Sequence, residues 1–523
     1  MTELEFDNLV TCMSGEHLGS WSDISRSIVR NLSVKNFTVI CPDEIAREVE
    51  RISAPEFKIK RESDFDPNLQ HNLRKRLLKE HNLGRYGWYL QQFLKLEFIK
   101  NHLSDDNILI WDSDTLPMKT IGFKSPSGQH MFYRSSEYHL EYFRAIYKLT
   151  GLDKIENNSF VTQCLPVDVK KLRPYFLEWH ESDGEWFSDI FDAIDFSQAS
   201  GFSEYELVGT ILSHSEEGHI LLRHEKWARN GTETYGDPST ALKLKSSEFD
   251  FIAFEAWQSK LPSERRKKMI LSRAKFVARK SGLVTFFDFL RKRHFIYLEK
   301  KTKSFLSKVF ASGPLHVVQI GSNDGVSNDP LWPFFQENKT APAVLVEPIP
   351  EYAEALRNNH SDRPRTSVIN AAAGNDYGER PLYYFDQAVA SEMDGNGPQN
   401  LWATGQGSFD RCLVVWWVHQ NAWRWGGERA KTERFISQIK MLNVDVRRTS
   451  EFLVGPPDET LLVIDVQGAE TEVISGLRSD SLPKWVICES DSPRFDSPFE
   501  LLESLGYRKL VGGANSCFVR ESA

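Results

Sequence analysis

The sequence predicts an α/β chain built as two sheet-and-helix units joined by a basic helical segment, and three stretches carry that expectation. LLVIDVQGAETEVISGL, Leu461 to Leu477, runs an apolar strand into Asp465, a small residue at Gly468 and an amphipathic helix from near Glu470. VVQIGSNDG (317–325) is an earlier junction of the same kind. ILIWDSDT (108–115) ends a strand far upstream in a different set of residues. Strands that alternate with helices in this way pair in a mainly parallel sheet.

Length and composition set the limits. A chain of 523 residues exceeds one ordinary domain, so two or three are expected. Apolar residues make up 40% of it, enough for packed cores, and aromatic content is 12% with 14 Trp. A net charge of −9 argues against a nucleic-acid partner. Six cysteines are scattered without a C-x-x-C pair, which fits reduced thiols rather than a disulfide framework or a zinc site. The acidic start MTELEFDN has no basic-then-apolar signal pattern, and no apolar run approaches the ~18 residues that span a bilayer. A cytoplasmic location is expected.

Taken in order, residues 1–255 form the first unit. NFTVICPDE (36–44) reads as a buried strand ending at Asp43, WYLQQFLKLEFIKNHL (88–103) as a helix, and NILIWDSD (107–114) as a strand with acids at its end. Residues 256–311 form the joining segment. Within 260–308, sixteen Lys or Arg stand against Glu264, Asp288 and Glu299. Phe276, Leu283, Phe286, Phe287, Leu290 and Leu298 recur near helical spacing. Such a segment is either an interdomain helix packed by its apolar stripe or an attachment to an anionic membrane surface. Residues 312–523 form the second unit. Its strands are HVVQI, AVLVE, SVIN, LLVID and KWVICE, with a ligand expected beyond their carboxyl ends.

Asp112 and Asp114 flank Ser113 at a strand end. Alternate residues of an extended chain point the same way, so both carboxylates can approach one hard cation. The competing reading is a solvated turn. Before them stands GWYLQQFLKL (87–96) and after them FSEYEL (202–207). With these three motifs, residues 5–250 resemble glycosyltransferases of the GT-A fold, in particular a bacterial subgroup. The resemblance implies a nucleotide-sugar donor and Mn2+ or Mg2+. It sets Asp43 toward the nucleoside, and Arg85, Gln91 and Lys95 near the diphosphate or donor sugar, though each is equally read as a solvated polar side chain. Glu204 and Glu206 are candidates for the base that takes the acceptor's proton. On a helix they diverge, so only one can serve, and Ser203 with Glu206 also matches a capping box. His224 is either a third metal ligand, as a late histidine is in several GT-A enzymes, or a structural histidine.

Gly321, Asn323, Asp324 and Gly325 form a turn through which a backbone can approach a ligand closely. Glu347 ends the next strand, where an acid suits the hydroxyls of a ribose. These features fit a dinucleotide or S-adenosylmethionine. VEPIPEYAEALRNN, NAAAGNDYG, GQGSFDR and VIDVQGAETEVISGL follow. In that order and spacing, residues 312–520 resemble FkbM-type methyltransferases. The resemblance implies a Rossmann-like class I O-methyltransferase domain with S-adenosylmethionine as cofactor and sugar-type acceptors. Gly321, Asn323 and Asp324 would line the methionine end, Glu347 the ribose, and Ala372 and Asn375 the adenine end. Two departures matter. Gln319 stands where an acid is usual, which passes recognition of the amino group to Asp324. Gln467 replaces a frequent Glu and cannot act as a base, which leaves Asp465 as the catalytic candidate; Asp465 is otherwise an acid orienting the adjacent helix. WWVHQNAWRW (416–425) offers either stacking faces for a sugar or core fillers, and His419 either a base or a packed histidine.

Together the resemblances imply a bifunctional glycosyltransferase and sugar O-methyltransferase in surface polysaccharide or glycolipid biosynthesis. Its partners would be a nucleotide-sugar donor and a glycan or glycolipid acceptor. The alternative is a membrane-peripheral assembly protein in which only the methyltransferase is active. The basic segment separates its own two readings. Attachment predicts co-sedimentation with anionic vesicles at low salt that is lost at high salt, since each basic residue near the surface contributes about 1 kcal/mol and salt screens it. No binding at low salt by the folded protein leaves the segment as a linker.

Overall fold

The computed structural model describes residues 5–181, 185–215, 220–223, 226–244, 248–255, 300–327, 329–395, 402–489, 498–512 and 515–520. Most of the basic segment (256–299) and His224 lie outside the described residues. The chain forms two compact units, residues 1–270 and 271–523.

In the first unit a five-stranded sheet is built from β1 (Phe6–Cys12), β2 (Val34–Cys41), β3 (Phe57–Arg61), β4 (Asn107–Trp111) and β5 (Cys164–Asp168), in the order β3-β2-β1-β4-β5. All pairs are parallel except β4 with β5, which run antiparallel from Asn107↔Asp168 to Trp111↔Cys164. The run ILIW is buried throughout, as both faces of a covered sheet require. β2 stops at Cys41, two residues short of the expected Asp43. Pro42 follows, and a proline has no N–H for the ladder.

Two buried helices pack on this sheet. α1 (Tyr86–Asn101) buries Tyr89, Leu90, Phe93, Leu94, Leu96, Phe98 and Ile99 but also Gln92, Lys95 and Glu97, so it is enclosed on nearly every side. α2 (Glu204–Ser213) is buried over all ten residues. Ser203 caps it, its Oγ accepting from the Glu206 N–H at 3.3 Å.

The second unit holds a seven-stranded sheet. Its strands are β6 (His316–Ile320), β7 (Ala343–Val346), β8 (Thr366–Ile369), β9 (Thr460–Ile464), β10 (Trp485–Glu489), β11 (Tyr507–Val511) and β12 (Asn515–Arg520). The order is β8-β7-β6-β9-β10-β12-β11, parallel up to β10 and antiparallel through β12 and β11. All five expected strands are present. Val318, Ile320, Val346, Leu462 and Ile464 fill one face, and Val317, Leu345, Leu461 and Val463 the other. Helix 300–310, the described end of the basic segment, buries Phe305, Leu306 and Val309 in that second face. A smaller four-stranded sheet joins Ala372–Gly374, Lys440–Arg448, Gly378–Tyr384 and Gly407–Ser408.

All six cysteines are buried and none forms a disulfide. Among the described residues no helix is long and apolar enough to cross a membrane.

One contact makes the first unit's packing testable. Gly209 of α2 faces Phe160, and a Cβ there would lie 2.1 Å from the ring. Gly209→Ala should destabilise the unit by about 1–3 kcal/mol, the usual cost of overpacking, read as a lower urea midpoint. An unchanged midpoint means that Phe160 has room to move.

Candidate functional sites

In each sheet the strand order reverses beside the first strand, and a crevice opens there at the carboxyl ends. In the first unit it lies between β1 and β4. A cavity of about 280 Å3 is lined there by Cys12, His17, Gln91, Lys95, Asp112, Asp114, Glu137, Gln163, Glu204, Tyr205, Arg229 and Glu255.

Charge is arranged around Asp112. The Lys95 ammonium donates to Asp112 Oδ1 at 2.6 Å and to Glu204 Oε1 at 2.8 Å, and the Tyr205 hydroxyl donates to the same Asp112 oxygen at 2.8 Å. The Gln163 amide, oriented to satisfy its neighbours, donates to Asp112 Oδ2 at 2.8 Å. Burial alone would push the lysine toward losing its proton, but Asp112 and Glu204 outweigh it and raise its pKa. Burial also raises Glu204, with Lys95 pulling the other way. Asp114 is pushed up to about 6, first by burial and then by the Asp112 charge. Ser113 between them is buried, and its Oγ lies 2.8 Å from His17 Nδ1. Arg229 closes the far side, bonded to Glu137 and, at 2.6 Å, to Glu255.

Gln91, Lys95, Asp112, Asp114 and Glu204 therefore come together as expected, but Lys95 spends its charge on two carboxylates and not on the open cavity. Three expected positions do not line it. Asp43 is exposed, and its carboxylate accepts the Ser63 hydroxyl at 2.5 Å. Arg85 stacks 4.4 Å above the Trp88 ring and donates to the Ala199 carbonyl at 2.7 Å. Glu206 points away from the cavity, accepting from Ser159 Oγ (2.5 Å), Phe160 N–H (3.0 Å) and Lys154 Nζ (3.2 Å). That removes Glu206 as a base. The sequence reading missed Glu137, Gln163, Arg229 and Glu255, which sit in stretches without a motif. Among the described residues no cluster of three or more His, Cys, Asp or Glu is arranged to hold a metal.

In the second unit the crevice lies between β6 and β9. Gly321 has φ +79°, and a Cβ there would lie 1.7 Å from the Asp465 carbonyl oxygen, so only glycine lets the two strand ends pass. A narrow cavity of about 50 Å3 is lined there by Gly321, Glu347, Ala372, Gly405, Asp465 and Gln467. Glu347 is 3% exposed and accepts from the Asn323 and Ile349 N–H groups, each at 2.9 Å. Burial first, and then the Asp465 and Asp324 charges, push it up to about 7.

Four expected positions, Asn323, Asp324, Gly325 and Asn375, do not line this cavity. Asn375 is exposed just beyond the strand Ala372–Gly374. Asp324 closes its own turn, accepting from Val326 N–H (2.9 Å), Ser327 N–H (2.7 Å) and Ser327 Oγ (2.6 Å). With Gly325 (φ +70°) it shapes the loop but does not face the cavity. Beside Gln319 stands an acid, Asp329, which accepts from the Gln319 amide at 3.3 Å and is pushed up to about 7, mainly by burial. Asp329 went unnoticed in the sequence because it lies outside every motif.

A second cavity, about 280 Å3, is lined by Trp402, Gln406, Leu413, Trp416, Trp417, Gln420, Asn421, Gln467, Gly468 and Glu489. The tryptophan run therefore divides. Trp416 and Trp417 face this cavity, Trp425 is buried with its N–H on Thr432 Oγ1 at 3.1 Å, and Trp423 is exposed. His419 lines neither cavity.

Comparison with known proteins places the second site in a class. The C-terminal unit carries a methyltransferase domain. More particularly, residues 319–509 match the family described as Methyltransferase FkbM domain. Solved structures similar to the chain include mouse xyloside xylosyltransferase 1 in its apo form, at 10% identity and a TM-score of 0.27 over 48% of this chain and 98% of that one. The WbbM bifunctional glycosyltransferase in its apo form is similar at 11% identity and a TM-score of 0.25, over 49% of this chain and 47% of that one. No curated protein matches the chain.

The Lys95 cluster yields a clean expectation. Lys95→Met leaves two buried carboxylates facing each other and should cost about 3–5 kcal/mol. Lys95→Met combined with Glu204→Gln removes one of those charges and should recover part of the loss in urea denaturation. A double variant no more stable than the single one contradicts this account.

Proposed function

We propose that the C-terminal unit transfers a methyl group from S-adenosylmethionine to a sugar hydroxyl, and that the N-terminal unit transfers a sugar from a nucleotide-sugar to a glycan or glycolipid acceptor. The pathway is surface polysaccharide or glycolipid biosynthesis, with the basic segment holding the enzyme to an anionic membrane face. The observation that carries the reading is shared by both units. In each, the acids singled out in the sequence stand at the carboxyl ends of strands where the strand order reverses.

In the N-terminal unit Asp112 and Asp114 would hold Mn2+ or Mg2+. Their oxygens are hard donors, and the mutual repulsion that raises Asp114 is what a cation relieves. The bound ion would supply charge neutralisation for a departing nucleoside diphosphate. Two protein carboxylates leave most coordination positions to phosphate and water. Glu204, lining the same cavity, is the candidate for receiving the acceptor's proton, and Lys95 holds it in place.

The C-terminal cavity suits S-adenosylmethionine in its polar groups. Each Glu347 oxygen carries one backbone N–H bond and keeps a lone pair for a ribose hydroxyl. Bound there, the cofactor supplies an electrophilic methyl group. A cavity of about 50 Å3 is far below the ~300 Å3 at which ligand cavities begin, so the Thr404–Gly407 stretch must give way on binding. Asn323 Nδ2 tethers that stretch through the Thr404 carbonyl at 3.3 Å.

Calorimetry on the intact protein tests both halves. Nucleoside diphosphate binding with Mn2+ should strengthen as pH rises through about 6. There Asp114 loses the proton that competes with the cation. Asp114→Asn should abolish both the binding and its pH dependence; unchanged metal-dependent binding sinks the glycosyltransferase half and leaves the assembly-protein alternative. Glu347→Ala should weaken S-adenosylmethionine binding roughly 10- to 150-fold, the worth of one charge-assisted bond. No affinity of the wild-type protein for the cofactor sinks the other half.

A further inference from the structure

The second cavity of the C-terminal unit is built from one helical stripe. Leu413, Trp416, Trp417 and Gln420 stand at spacings of three and four on α3 (Arg411–Asn421), so they share a face. Val414, Val415 and Val418 are buried. A stripe with two indoles would ordinarily be closed against a core. Here it lines about 280 Å3 of open cavity, with Trp402 beside it and Glu489 and Gln467 on another wall.

Gln467 also lines the narrow cofactor cavity, so the two cavities share a wall. Its backbone has φ +54°, a left-handed conformation that a residue with a side chain rarely adopts. Ser408 Oγ holds its carbonyl at 3.0 Å. Its amide nitrogen donates at 2.8 Å to Asp465 Oδ1, on the cofactor side, and at 2.8 Å to Glu489 Oε2, on the tryptophan side.

The lining selects a ligand class. Among the described residues it combines indole faces and side-chain amides, with the Glu489 carboxylate beside them. A pyranose matches both. Its C–H face stacks on an indole, and its hydroxyl rim meets the amides of Gln406, Gln420 and Asn421 and the Glu489 carboxylate.

We infer that this cavity holds the sugar ring to be methylated and that Glu489 is the catalytic base, an inference that rests on the methyl-transfer reading above. The sugar oxygen forms a bond to the methyl carbon of S-adenosylmethionine as the carbon–sulfur bond breaks. Sulfur keeps the electron pair, and the hydroxyl proton passes to Glu489. Gln467 is a positioning residue that fixes Glu489 at the boundary of the two cavities. Asp465, held by the same amide on the cofactor side, is not the base.

Saturation-transfer NMR on the intact protein with S-adenosylhomocysteine tests the site. The probes are methyl glycosides of mannose, galactose and rhamnose. At least one should receive saturation on its ring C–H protons. Trp417→Ala should lose that signal and Trp417→Phe, which keeps an aromatic face, should retain it, with S-adenosylhomocysteine affinity unchanged in both. Radiolabelled S-adenosylmethionine should then methylate the bound glycoside. Glu489→Gln, which keeps a polar group at the hydroxyl rim, should lower that rate at least 100-fold at saturating glycoside and flatten the acidic limb of its pH profile. Absence of saturation for all three glycosides overturns the sugar site. A bound glycoside that is not methylated, or a Glu489→Gln rate and pH profile like the wild type's, overturns the base. Failure to bind S-adenosylhomocysteine is a different result and overturns the methyl-transfer reading itself.

Discussion

A buried ammonium cannot stand alone, and the N-terminal unit is organised around that fact. Lys95 projects from a helix enclosed by apolar side chains, where only paired carboxylates keep its proton in place. Asp112 comes from the end of β4 and Glu204 from the start of α2, so one lysine ties the sheet to two helices. Among the described residues Asp114 has no cation of comparable closeness, and burial first and then the Asp112 charge push its carboxyl up to about 6. The site is thus divided into a half neutralised by Lys95, which holds the architecture, and a half at Asp114 that Lys95 does not bind.

The C-terminal unit solves a similar problem without a lysine. Glu347, Asp465, Asp329 and Glu489 all accept from amide N–H groups. Glu347 takes two from the backbone, Asp329 one from Leu331 N–H and one from the Gln319 amide, and Asp465 and Glu489 share Gln467. A neutral amide donor orients a carboxylate without removing its charge.

Much of the sheet framework was legible in the sequence, because buried parallel strands leave apolar runs that few other structures leave. ILIW, HVVQI, AVLV, LLVI and WVICE all became strands. The carboxyl-end acids Asp112, Asp114, Glu347 and Asp465 followed from them. What failed was direction. Whether Glu204 or Glu206 faces the cavity depends on the turn at which α2 begins, and spacing alone says only that they diverge. Asp43 lost its place to the proline before it, and Asp324 to its own turn. Asn375 lies one residue past a strand whose end no motif marks. Arg229 and Glu489 reach the cavities from far along the chain, and only the fold brings them there.

Gln467 has a consequence beyond holding two acids. One amide group serves carboxylates in two cavities, so a ligand that draws either carboxylate toward itself alters the donor left for the other. On the methyl-transfer reading proposed above, the two occupancies would be linked through that one amide, and by reciprocity each ligand would change the other's affinity by the same factor.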